Sequence, residues 1–70
     1  MGSPRGSVAL DERGRPGIVV DDLAGLFVGF EPGSRRRWSS RRPRVLGTVV
    51  DWIKSREPLE EWVDKRAGPR

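Results

Sequence analysis

Between residues 7 and 40 the apolar residues come only in short runs, each cut off by glycine, proline or aspartate, and this restricts the chain to short extended segments. Ser7-Val8-Ala9-Leu10 leads into the turn-rich Asp11-Glu12-Arg13-Gly14-Arg15-Pro16-Gly17. Ile18-Val19-Val20 follows, and its β-branched side chains suit a pleated strand better than a helix. Asp21-Asp22-Leu23-Ala24-Gly25 reads as a turn. Leu26-Phe27-Val28-Gly29-Phe30 then places Leu26, Val28 and Phe30 on one strand face, and Glu31-Pro32-Gly33-Ser34 closes that segment. Residues 35–40 are expected to pair back as a fourth strand, with Trp38 turned to one side and the arginines mostly to the other. Four short strands in about 35 residues imply a small curled sheet.

The second half carries two patterns. Val45-Leu46-Gly47-Thr48-Val49-Val50 is rich in β-branched residues, while Leu46, Val49, Val50 and Ile53 also fall on one helical face and Pro43 could serve as a helix start. Gly47, Thr48 and the valines weaken a helix, and a curled sheet needs a closing strand, so a strand through Val50 is expected. Residues 57–66 predict a short amphipathic helix. Pro58 fits its first turn, Leu59, Trp62 and Val63 line one face, Glu61 sits four residues before Lys65, and Gly68 terminates it. The expected organisation is a flexible start at 1–6, a sheet domain at 7–53, a helix at 57–66 and a flexible tail at 67–70. A winged helix remains as an alternative, with residues 22–29 and 44–55 helical, because Asp21-Asp22-Leu23-Ala24 resembles a helix start.

Gly6-Ser7-Val8-Ala9-Leu10, Gly14-Arg15-Pro16-Gly17-Ile18-Val19-Val20, Leu26-Phe27-Val28-Gly29-Phe30 and Arg37-Trp38 follow one another in an order that resembles SH3-like small β-barrels of the Tudor and KOW type. In such modules a strand ends in a glycine-containing turn, a second strand and an alternating third strand follow, and a polar fourth strand presents an aromatic residue. The likeness covers residues 6–50 and rests on spacing and residue class. It implies a mainly β fold, a small SH3-like five-stranded barrel followed here by a short C-terminal α-helix. It also implies a binding module for nucleic acid, for ribosomal or polymerase surfaces, or for peptides. Trp52 and Trp62 lie beyond the pattern, either capping the open end of the sheet or forming an interaction face.

Seventy residues make one domain, and chains of this size bury only about 60% of the surface their unfolded form exposes. Cysteine and histidine are both missing, which excludes disulfides, thiol chemistry and the commonest metal ligand and general base. The acidic neighbours Asp21-Asp22 and Glu60-Glu61 diverge in any regular element and make no acid and base pair. Gly14-Arg15-Pro16-Gly17 lacks the lysine and hydroxyl residue of a phosphate-cradling loop. No enzyme, metal or cofactor is expected. No apolar run approaches the roughly 20 residues that span a bilayer, and the first residues lack a signal peptide's apolar core, so a soluble cytoplasmic protein without a membrane partner is expected.

Charge supplies the candidate site. Six of the ten residues at 35–44 are arginines: Arg35, Arg36, Arg37, Arg41, Arg42 and Arg44. The net charge is +4, and outside this block eight basic residues face ten carboxylates, so the other 60 residues carry −2. The chain is thus nearly neutral with one cationic patch, an arrangement that attracts polyanions or an acidic partner. Guanidinium forks bind phosphate and carboxylate bidentately, and Trp38 offers a ring that could stack on a base or fill the core. A bland alternative pairs the arginines with Asp11, Glu12, Asp21, Asp22 or Glu31, although surface ion pairs contribute little. Arg36-Arg37-Trp38-Ser39 also has the spacing of a basophilic phosphorylation site, and a phosphate on Ser39 or Ser40 would cancel much of the charge. The sequence therefore supports a non-enzymatic module whose partner is nucleic acid or a nucleoprotein assembly. The alternative is an accessory subunit that docks its basic face on an acidic protein, such as polymerase, ribosome, phage or plasmid machinery. Membership of a larger assembly or a homo-oligomer fits either.

Overall fold

The computed structural model describes residues 5–68. It is mainly β. Strands β1 (Ser7–Leu10), β2 (Pro16–Leu23), β3 (Leu26–Phe30), β4 (Arg37–Ser40) and β5 (Arg44–Thr48) precede helices α1 (Val49–Ser55) and α2 (Leu59–Ala67). β1 to β4 form an antiparallel meander and β5 returns to pair with β1, giving the order β4-β3-β2-β1-β5. Residues 1–4 and 69–70, within the two ends expected to be flexible, lie outside the described residues. Gly6, at the border of that start, donates its N–H to the Val19 carbonyl at 2.9 Å and accepts from the Val49 N–H at 2.8 Å.

The sheet is open, since β4 and β5 form no ladder, yet it must be rolled. Four strand spacings in a flat sheet would put β4 and β5 about 19 Å apart. The chain from Ser40 to Arg44 takes four residue steps, which reach at most about 14 Å. The three-residue crossing at 41–43 therefore draws the two edges toward each other. Two irregularities help the strands bend: a bulge at Val20, where pairing jumps from Val19 opposite Gly29 to Asp21 opposite Val28, and another where β5 passes from Gly47 to Val45 opposite Val8 and Ala9.

β2 runs through Asp21 and Asp22 to Leu23, so the turn expected at 21–25 shrinks to Ala24-Gly25. Both residues have positive φ (53° and 86°), the geometry of a two-residue hairpin turn whose twist matches the flanking strands. Residues 22–29 are strand and turn, which overturns the winged-helix alternative. The fifth strand is also shorter than expected. It ends at Thr48, whose extended backbone (φ −87°, ψ 154°) and side-chain oxygen, accepting from the Asp51 N–H at 3.1 Å, start α1 at Val49. A local cap thus outweighs the β preference of Val49 and Val50. α1 stops at Arg56, which is left-handed (φ 59°).

α2 behaves largely as its pattern indicates. Pro58 stands immediately before it rather than within its first turn, and the Gly68 N–H closes it on the Asp64 carbonyl at 3.0 Å. Lys65 pairs with Glu57 before the helix and not with Glu61 on it.

Apolar side chains pack on both faces of the sheet. On one, Val8 and Leu10 meet Trp62 and Val63 of α2, with Ile18, Leu46, Val49, Trp52 and Leu59 around them. On the other, Ala9, Val19 and Trp38 pack together with Phe27 against them. Trp52 and Trp62 therefore serve the cover over the first face, and Trp52 donates its indole N–H to the Glu57 carbonyl at 3.0 Å.

Candidate functional site

Strand β4 decides where the arginine block points. Its residues alternate between exposed Arg37 and Ser39 and buried Trp38 and Ser40. Trp38, only 9% exposed, lies across β3 and β2: a Cβ added to Gly29 would fall 2.3 Å from its ring carbons, and one added to Gly17 2.7 Å from its Nε1. These two positions admit the ring because they have no side chain. The Trp38 indole N–H donates to the Pro16 carbonyl at 3.3 Å. Ser40, 2% exposed, donates its hydroxyl to Glu12 at 2.8 Å and accepts from the Arg42 N–H at 3.1 Å. These bonds tie β4 to the start of β2 and to the β1–β2 turn.

Trp38 is accordingly a core residue, 9% exposed, which favours the core-filling reading of this ring over the stacking one. It anchors β4 and holds Arg37 and Ser39 on the opposite face. Of the two candidate phosphorylation positions, Ser40 is enclosed and hydrogen-bonded while Ser39 is exposed.

The six arginines are all exposed and form two groups on either side of β4. Arg35, Arg36 and Arg37 occupy the end of the β3–β4 connection and the first position of β4. That connection is tied by the Ser34 N–H to the Glu31 carbonyl (3.2 Å), the Glu31 N–H to the Arg36 carbonyl (3.2 Å) and the Arg36 N–H to the Ser34 hydroxyl (3.0 Å). Arg41 and Arg42 lie in the crossing, and Arg44 opens β5 opposite Leu10. Arg37 pairs with Phe30 and Arg44 with Leu10, so both lie on the same face of the sheet as Val8 and Leu10, the face that α2 packs against.

Among the described residues none of the six arginines forms a salt bridge to a carboxylate. Four of the five acids named as candidate partners accept other hydrogen bonds. Asp11 accepts the N–H groups of Arg13 and Arg15, Glu12 accepts Ser40, Asp21 accepts the Asp22 N–H and Asp22 accepts the Gly25 N–H. The exposed arginines and the core position of Trp38 agree with the bland reading of a solvated charged hairpin, while the ion pairs it supposes are not formed among the described residues.

What sequence reasoning missed is the pair Gly17 and Gly29. Each looks like a turn or strand-weakening glycine, and only the register, which sets Gly17 opposite Ala9 and Gly29 opposite Trp38, brings them under one indole. Among the described residues no group of three or more His, Cys, Asp or Glu could hold a metal ion, and no helix is long and apolar enough to cross a membrane. Comparison with protein-family models, with curated proteins and with solved structures found no match.

Proposed function

We propose that this protein is a small non-enzymatic binding module that uses Arg35, Arg36, Arg37, Arg41, Arg42 and Arg44 to contact nucleic acid or a nucleoprotein assembly. A meander of four strands with a fifth returning to the first supports reading the rolled sheet as an SH3-like small barrel, a scaffold suited to presenting loops. The observation that carries the function is the set of six exposed guanidiniums without carboxylate partners among the described residues, gathered within ten residues of an otherwise nearly neutral chain. Leaving such charges unpaired costs self-repulsion, which a polyanion relieves with release of its counterions.

The test is fluorescence anisotropy with a labelled oligonucleotide across a salt series. Binding at low ionic strength should weaken by about 0.7 to 0.9 log units per log unit of salt for each phosphate contact. Arg35→Ala/Arg36→Ala/Arg37→Ala should keep the circular dichroism spectrum and lose part of that slope. No salt-sensitive binding at low ionic strength sinks the proposal.

One observation favours an acidic protein as a second reading: β4 is an edge strand with a free side on which an extended acidic segment could pair. Pull-down after nuclease treatment separates the two, since a protein partner survives it and a nucleic-acid bridge does not.

A further inference from the structure

Resting on the nucleic-acid reading above, we infer that the sheet face carrying Arg37 binds a single strand by stacking an unpaired base on the ring of Phe30, while Arg35, Arg36 and Arg37 take the flanking phosphates. The register puts the ring there. Phe30 stands opposite Arg37 on one side and Ile18 on the other, so its side chain shares the face that α2 packs against. α2 fills only part of that face. Along the row Arg37, Phe30, Ile18, Val8, the cluster that Trp62 and Val63 form takes in Val8 and Ile18 and stops short of Phe30. Phe30, and beside it Val28 opposite Ser39, are half-buried and belong to neither apolar cluster of the described residues. The other half-buried rings are engaged, Phe27 on the Trp38 cluster and Trp52 on the Trp62 cluster.

The arginines are held next to this ring. Immediately beyond the Phe30–Arg37 pair, the Glu31 N–H bonds the Arg36 carbonyl and the Arg36 N–H bonds the Ser34 hydroxyl, which fixes the connection that carries Arg35 and Arg36. An apolar ring flanked by three guanidiniums matches a ligand that has a flat apolar face and a negative charge beside it. An unpaired nucleotide has both. A duplex keeps its bases stacked on one another and presents phosphates, so it can use the arginines but not the ring. An acidic peptide can likewise meet the guanidiniums without a base to lay on Phe30. Every base has a π-face, so stacking of this kind tolerates any sequence.

The experiment measures anisotropy of the full chain with a labelled thymidine oligonucleotide and with an abasic strand of equal length, so that the phosphates match and only the bases differ. The thymidine strand should bind about fivefold tighter or more. Phe30→Leu, which keeps an apolar side chain without a ring, should remove that preference and retain the affinity for the abasic strand. Phe30→Tyr, which keeps the ring, should preserve it. Equal affinity of the unaltered chain for the two strands overturns the stacking inference while leaving nucleic-acid binding intact, and this comparison decides the matter even where Phe30→Leu does not fold. A folded Phe30→Leu that keeps the full preference places the base on another ring and overturns the assignment to Phe30. Absence of binding to every probe removes this inference together with the reading it rests on.

Discussion

The two faces of the sheet are each organised around one tryptophan pressed against glycine, and they solve that problem differently. On one face Trp38 comes from a strand, spans Gly29 and Gly17, and satisfies its N–H on the Pro16 carbonyl. On the other face Trp62 comes from α2, sits over Gly47 where an added Cβ would be 3.0 Å from the ring, and is covered by the Arg66 guanidinium 3.8 Å from the ring centre. Its Nε1 is buried and has no hydrogen-bond partner among the described residues. The comparison shows that burial and polar satisfaction are separable. Trp62 is the more completely enclosed, with 0% exposure against 9%, yet Trp38 is the better-matched to its surroundings.

The largest effects should come from removing either ring. Trp62→Ala and Trp38→Ala should each cost about 3–5 kcal/mol, close to the whole stability of a domain this size, so both should be largely unfolded by circular dichroism. A folded Trp38→Ala that loses oligonucleotide binding would reverse the assignment of that ring to the core. Next come the glycines. Gly29→Ala collides with three atoms of a ring that cannot move away and should cost about 3 kcal/mol, whereas Gly47→Ala meets Trp62 at a distance a small helix shift relieves and should cost about 1 kcal/mol. Equal losses in chemical denaturation would show that the two faces are equally rigid.

Trp→Phe substitutions isolate the polar difference. Trp38→Phe breaks a hydrogen bond and strands the Pro16 carbonyl, while Trp62→Phe removes an N–H that already lacks a partner, so Trp38→Phe should be the more destabilising by about 1–2 kcal/mol. The smallest effect is Arg66→Ala, which uncovers the Trp62 ring and should cost about 0.5–1 kcal/mol together with a change in tryptophan fluorescence.

Much of this arrangement is legible in the chain, for reasons that differ by element. β1 and β3 are bounded by turn residues and have matching limits, and the Leu59–Trp62–Val63 stripe of α2 can pack only one way. Asp21-Asp22 misleads because aspartate is a common turn residue, yet here the pair sits within a bulged strand, with Asp21 accepting the Asp22 N–H. Thr48 is hidden because a β-branched residue serves equally as a strand end or as a helix cap, and only the Asp51 N–H it accepts distinguishes them. The arginine block is visible from composition, but its outward direction is not. That depends on Gly17 and Gly29, 12 residues apart in sequence, meeting under Trp38.

The three-residue crossing at 41–43 makes the two sheet edges a single mechanical unit, and it places unneutralised positive charge at the junction. Folding must therefore compress like charges, and whatever screens them also tightens the roll. Melting temperature should then rise with added salt and rise further with a bound polyanion, the opposite of a protein held together by surface ion pairs. A ligand gripping Arg41 and Arg42 would clasp β4 to β5, so that occupancy of the surface would register as slower hydrogen exchange at Val8, Ala9 and Gly29, residues deep in the sheet that the ligand never touches.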